Sequence, residues 1–337
     1  MNFNSLRNLV IFSFLALSAS ALTVRKFELG PSVYPGDGLG TVSLSLDGCG
    51  IVANPTFNQI VKYCPATNSS VTYQLPGDEF YPTSALQDYS GRFHFISSYS
   101  QALSVYDPSD NSVQTQHFDG ETLPNYLSVA PDGNVYVTLS NANKLVVYPL
   151  NTENLTTDLR FVNVSYNGPE KVLYNLLNGR LCVTMVRSGS IVCYDDNWNE
   201  LVIPVAGYPT GLTLTLNGSL CFSYNNGAYG NVGCVSAFCR TSSCLQYTRT
   251  DLSLGYDNRV DDLTIAPGTT QLFALMSITN AAARINKNGT WNRLDIFDPV
   301  PFEGLRGPDS VSLVWTGSKL GTLVSTASSK TLYTVTF

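Results

Sequence analysis

Apolar and polar positions alternate in short bursts along this chain, and one phrase sets the pattern. Residues 131–150 read PDGNVYVTLSNANKLVVYPL. A turn at Asp132-Gly133 opens a β-rich run at 135–139. The polar triplet Asn141-Ala142-Asn143 separates it from a second apolar run at 145–148. Two such runs joined by a short polar turn predict a β-hairpin. Apolar residues also stand side by side, as in Leu145-Val146-Val147-Tyr148, which is how strands buried on both faces read.

The phrase recurs. Gly turns fall at Asp47-Gly48, Ser90-Gly91, Asp132-Gly133, Asn178-Gly179, Asn217-Gly218, Pro267-Gly268 and Thr316-Gly317, roughly 40 to 50 residues apart, the period of propeller blades. A short strand precedes each turn, such as Leu127-Ser128-Val129 or Leu212-Thr213-Leu214. The hairpin and a looser fourth strand follow. The last unit stops after three strands, at 311–315, 320–325 and 331–336, while residues 22–29 form a strand without a hairpin partner. Pairing the two ends would complete the seventh unit and remove an exposed edge. The expectation is an all-β chain: one seven-bladed β-propeller domain at 22–337, of four-stranded antiparallel blades, the last closed by the N-terminal strand. A sandwich would not repeat one phrase seven times, and a β-helix has shorter coils.

On these residues the chain resembles known propellers. Residues 131–149, centred on Val135-Tyr136-Val137-Thr138, resemble the YVTN-type repeat. The Pro-x-x-Leu opening of several units is similar to the NHL, virginiamycin-lyase and gluconolactonase group. Such motifs specify blades and not chemistry. Resemblance to the gluconolactonases would imply six blades, the alternative to the seven counted. Lyase-type enzymes depend on channel histidines, whereas this chain has only His94 and His117, both on the strands of one unit.

Composition narrows the functional classes. Of 337 residues 44% are hydrophobic and 13% charged, with a formal charge of -6. No basic stripe exists to displace counterions from nucleic acid or to dock on anionic lipid. Residues 1–21 read as a secretory signal peptide: Arg7, an apolar core at 9–17, and the small-residue site Ala19-Ser20-Ala21. No later stretch is long enough to span a bilayer. A secreted, monomeric glycoprotein is expected, with N-x-Ser/Thr acceptors at Asn68, Asn154, Asn163, Asn217 and Asn288.

The eight cysteines fit an oxidising compartment. Cys182 and Cys193 flank a turn at equal distance, as do Cys221 and Cys234, and Cys49 and Cys64. Equidistant residues face each other across a hairpin, so each pair predicts a cross-strand disulfide. Cys239 and Cys244 would close a small loop. Cys-x-x-Cys spacing is missing and histidine is scarce, which disfavours zinc.

Candidate chemistry sits where the innermost strands begin. The residues just before them are Asp37, Thr83, Asn125, Glu170, Thr210, Asp261 with Asp262, and Asp309. Convergent carboxylates repel unless a cation relieves them, and hard oxygen donors suit calcium. The gluconolactonase resemblance would have Asn125, Glu170, Asp261 and Asp309 hold calcium, the ion polarising a lactone carbonyl, with Asp37 or Asp262 as base. The hairpin turns toward the same rim carry Asn54, Asn58, Tyr99, Asn141, Asn143, Arg187, Asn225, Asn226, Tyr229 and Asn280. Amides and aromatic rings together suit a polar small molecule or glycan. The longest loops, at 30–40, 251–260 and 297–307, hold Tyr34, Tyr256, Arg259, Phe302 and Arg306, the expected lip of a binding mouth. Asp195 to Asn199 lacks the glycine and closing glutamate of a calcium loop and reads as an outer turn. The favoured function is a binding scaffold for a polar small molecule, glycan or secreted protein. A calcium-dependent lactone or ester hydrolase is the alternative.

Overall fold

The computed structural model describes residues 22–29, 38–77, 80–120, 122–216, 218–266, 269–297, 308–317, 320–326 and 330–336. They form seven four-stranded antiparallel sheets. In chain order the blades occupy residues 42–74, 84–117, 124–163, 169–204, 208–256, 260–294 and 308–336. The seventh takes its outermost strand from Thr23–Glu28, which pairs with Thr331–Thr336 from Thr23↔Thr336 to Glu28↔Thr331. Seven blades are therefore present, not six, and the two ends of the chain close the ring.

The paired apolar runs follow from this geometry. Seven hydrophobic clusters stand one between each pair of neighbouring blades. Successive side chains of a strand point to opposite faces, so each strand feeds two clusters. Along Lys144–Pro149, Val146 and Tyr148 pack toward blade two while Leu145 and Val147 pack toward blade four. Both faces are dry, and the sequence shows an unbroken apolar run rather than alternation. The closing strand does the same: Val24 packs between blades six and seven, and Phe27 between seven and one, 4.6 Å from the Tyr63 ring.

Six blades turn from first to second strand on the predicted glycine. Gly48, Gly91, Gly133, Gly179, Gly218 and Gly317 have φ between 71° and 93°, a region that costs an L side chain strain. Gly268 lies outside the described residues.

The four disulfides are the expected ones: Cys49–Cys64, Cys182–Cys193, Cys221–Cys234 and Cys239–Cys244. Cys182 and Cys193 are direct cross-strand partners, and so are Cys221 and Cys234. Cys239–Cys244 leads into a short helix, Ser242–Thr248, whose Thr241 hydroxyl caps the Cys244 amide. Four disulfides suit an oxidising environment. Among the described residues no helix is long and apolar enough to cross a membrane. The expected signal peptide, residues 1–21, lies outside the described residues.

Candidate functional site at the channel mouth

The mouth is built by a repeated irregularity. In blades three to seven the innermost strand slips register near its start, between Pro124 and Leu127, Pro169 and Val172, Pro209 and Gly211, Val260 and Asp262, and Pro308 and Ser310. A bulge adds one residue against its partner strand and re-aims the side chains beside it. Asn125, Glu170, Thr210, Asp261 and Asp309 stand at these bulges, so the sequence-predicted ring occupies one equivalent position in five blades. The side chain of Asp309 lies outside the described residues.

Hydroxyls on the second strands hold the bulges. Thr138 Oγ1 accepts from the Tyr126 amide at 3.1 Å and donates to the Glu170 carbonyl of the next blade at 2.7 Å. Thr184 Oγ1 accepts from the Lys171 amide at 2.8 Å. Ser140 donates to the Pro169 carbonyl and Thr210 to that of Val260. Blade three is thus stitched to blade four and blade five to blade six at the rim, and the Tyr126 and Lys171 amides are satisfied.

Of the residues that follow, Tyr126, Lys171, Asp262 and Ser310 come together at the channel wall. Lys171 Nζ lies 2.6 Å from Asp262 Oδ2 and 4.9 Å from the Tyr126 ring centroid. The amides of Val311 and Leu263 also donate to Asp262, at 3.1 and 2.9 Å. Ser310 Oγ is 3.5 Å from Asp262 Oδ2 and accepts from the Val42 amide at 3.2 Å. Burial pushes the Tyr126 phenol up, against the nearby Lys171 ammonium. Blades three, four, six, seven and one therefore meet across the axis. Blade five contributes Gly211, where a Cβ would lie 2.7 Å from Leu263 Cδ2 and 2.8 Å from Ser223 Oγ. The missing side chain lets blade five pack closely on blade six at Leu263.

A cation therefore stands beside the acids of the channel wall. Asp262, expected as a base, holds its oxygens toward an ammonium and two amides. Lys171, which the sequence reading passed over, supplies the cation that the acids were expected to recruit from solution. Among the described residues no three His, Cys, Asp or Glu side chains stand close enough to share a metal ion. Asp37, the other expected base, lies outside the described residues. His94 is buried between Asp88 and Tyr148, and His117 is exposed on the outermost strand of the same blade, so neither reaches the channel.

The rim residues divide into two groups. Several amides are structural. Asn225 is buried and bridges blades five and six, donating to the Val260 carbonyl at 2.9 Å and accepting from its amide at 2.8 Å. Asn58 is buried on the Leu75 and Gly77 carbonyls and the Tyr81 amide. Asn143 accepts from the Gly168 amide at 2.9 Å, and Arg187 donates to Asn141. The tyrosines face solvent. Tyr208, Tyr229 and Tyr256 crown three strands of blade five with 56%, 50% and 64% exposure. Tyr229 and Tyr256 meet edge to face at 5.5 Å, as Tyr81 and Tyr99 do at 5.2 Å. Arg259 Nε is buried without a hydrogen-bond partner among the described residues.

The expected long loop at 251–260 is mostly absent: Thr250–Tyr256 is the outer strand of blade five, leaving only 257–259 as a connection. Tyr34, Phe302 and Arg306 lie outside the described residues. Four of the expected glycan acceptors, Asn68, Asn154, Asn163 and Asn288, are exposed; Asn217 lies outside the described residues. Asp195 to Asn199 forms the expected outer turn, closed by Asn197 and Asn199 amides on Asp195.

Neither protein-family models nor curated proteins give a match to this chain. Solved structures share its fold. Virginiamycin B lyase from Staphylococcus aureus superposes with a TM-score of 0.73 at 14% identity, over 94% of this chain and 100% of that one. A streptogramin B lyase gives 0.72 at 13%, over 93% and 97%. A component of a mitotic checkpoint complex gives 0.68 at 11%, over 93% and 91%. With these proteins the chain shares the β-propeller architecture.

Proposed function

We propose that the protein is a binding scaffold that captures a polar ligand of the glycan class on the tyrosine-bearing rim of its channel. The observation that carries this reading is the crown of Tyr208, Tyr229 and Tyr256 on blade five. Three large rings stand in solvent on a rigid sheet end, where burial would have been the default. A ring face stacks on the C–H face of a sugar, and the phenol supplies a hydrogen bond. Arg259 adds a guanidinium nitrogen without a partner among the described residues.

A glycan array probed with wild-type protein and with Tyr229→Ala plus Tyr256→Ala tests the reading. The variant should lose about tenfold or more in affinity, since a well-packed aromatic contact is worth roughly 1.4 kcal/mol or more, with its melting temperature unchanged. A wild-type protein that retains no glycan, or a variant that binds equally well, would reject it.

A calcium-dependent lactonase is the second reading, favoured by the equivalent bulge positions of Asn125, Glu170, Asp261 and Asp309. It needs donors beyond the described side chains, so it rests on Asp37 and Asp309. Melting curves with calcium and with chelator, run beside lactone hydrolysis, separate it from the scaffold: a calcium-dependent melting shift together with turnover would favour the enzyme.

A further inference from the structure

The opposite face of the ring, where the glycine turns lie, carries a second cleft. It opens between blades three and four, holds about 150 Å³, and is lined by aromatic and charged side chains. Tyr174, Tyr194 and Trp198 supply aromatic surface, with Tyr194 and Trp198 centroids 5.4 Å apart. Asp132 accepts from the Tyr136 hydroxyl at 2.7 Å and from Asn134. Asp195 closes its own turn and lies 3.7 Å from Arg180. Those groups are engaged.

Three others are not. Tyr194 is 3% exposed, and its hydroxyl has no hydrogen-bond partner among the described residues. A buried hydroxyl left unpaired costs on the order of 1–3 kcal/mol, so such a group calls for an explanation. Burial pushes this phenol up, aided by the Glu200 carboxylate, so it keeps its proton and can donate. The Asp196 carboxylate forms no ion pair or hydrogen bond among the described residues. The Arg160 guanidinium likewise has none and rests over the Trp198 ring at 5.7 Å. An acid and a base line one small cleft without pairing, whereas Arg180 with Asp195, Arg249 with Asp251 and Lys171 with Asp262 all pair.

We propose that this cleft binds a small zwitterion of the free amino-acid class, its carboxylate on Arg160 and the Tyr194 hydroxyl and its ammonium on Asp196. A bare anion would face Asp132, Asp195 and Asp196. A bare cation would face the Arg160 guanidinium. A molecule carrying both charges satisfies each wall and gives the Tyr194 hydroxyl its acceptor. A void of this size holds a molecule about as large as benzene, which selects glycine, alanine or serine over long or aromatic amino acids. The Arg160 guanidinium over the Trp198 ring offers its planar fork of donors for bidentate contact with a carboxylate.

The proposal is independent of the tyrosine rim, and calorimetry separates the two. Glycine, L-alanine and L-serine are titrated into wild-type protein, with ethylamine and acetate as single-charge controls. At least one amino acid should bind, and both controls should bind at least tenfold more weakly. Arg160→Gln and Asp196→Asn should each weaken it tenfold or more. Tyr194→Phe should also weaken it while leaving the melting temperature equal or higher, because an unsatisfied hydroxyl is removed. The Tyr229→Ala plus Tyr256→Ala rim variant should bind amino acids as wild type does. The proposal is overturned if none of the three amino acids binds, if ethylamine or acetate binds as tightly, or if binding survives both charge substitutions.

Discussion

His94 is one of two histidines in the chain, and its surroundings decide both its charge and its role. It is fully buried. Nε2 lies 3.2 Å from Asp88 Oδ2, and Nδ1 lies 3.1 Å from the Tyr148 hydroxyl of the next blade. An ionised carboxylate only accepts, so Nε2 carries the proton and Nδ1 accepts from Tyr148. Burial lowers the imidazole below its usual range, against the pull of Asp88. Burial would raise Asp88, but hydrogen bonds from His94, Ser90 and Arg92 outweigh it and hold the carboxyl well below the usual range. Both shifts act in one direction. The unfolded chain takes up a proton at His94 near pH 6.5 that the folded chain refuses, so stability falls as pH drops through that value. The Asp88 contribution is present above about pH 3.9 and is lost only as pH falls toward its lower folded value. The melting temperature should therefore decline between pH 7 and pH 5. His94→Gln, which can still donate to Asp88, should flatten that decline and cost about 1–3 kcal/mol at pH 7. A decline of the same slope in the variant would place the titrating group elsewhere.

At the scale of the strand, the bulge explains why part of the mouth was legible in the sequence and part was not. The two-faced apolar runs and the glycine turns are local signals, so the blades, their number and the cross-strand cysteines could be read directly. Asn125, Glu170, Asp261 and Asp309 were legible as one position because each stands second in its strand, where the bulge falls. The neighbouring Lys171 and Tyr126 were missed for a physical reason: period-two alternation assigns one of two adjacent residues to the wall, and a bulge brings a second one inward. The signal available in blades three to five was the hydroxyl residue opposite the bulge, Thr138, Thr184 or Ser223, which alternation alone gives no cause to notice. The rim amides misled in the opposite sense. The Asn58 side chain closes the connection from blade one to blade two, and that of Asn225 holds the start of blade six, which no local pattern reveals. Thr138→Val tests the role of the hydroxyl without changing shape. It leaves the buried Tyr126 amide and Glu170 carbonyl without this partner, and urea unfolding should show a loss of about 1–3 kcal/mol. An unchanged midpoint would mean that the backbone ladder alone holds the bulge.

For the molecule as a whole, ring closure requires the two ends of the chain to share one blade. Every blade but the seventh is continuous in sequence; the seventh joins residues 23–28 to residues 308–336. The closing strand contributes six cross-strand pairs and places Val24 and Phe27 in two different inter-blade clusters. Without it, Thr331–Thr336 would offer a row of unpaired amides and carbonyls, a template for another chain. Its own pairing is also the longest-range contact in the fold, and such contacts form only after loop-closure entropy has been overcome. A chain beginning at residue 30 should therefore retain six ordered blades, lose thermal stability and self-associate through the exposed edge, as seen by light scattering on a sizing column. Adding a synthetic peptide of residues 22–29 should restore the monomer and raise the melting temperature, since an added strand recovers both the ladder and the Phe27 contact with Tyr63. A shortened chain that stays monomeric and melts at the wild-type temperature would show that the ring is held by its inter-blade clusters without the clasp.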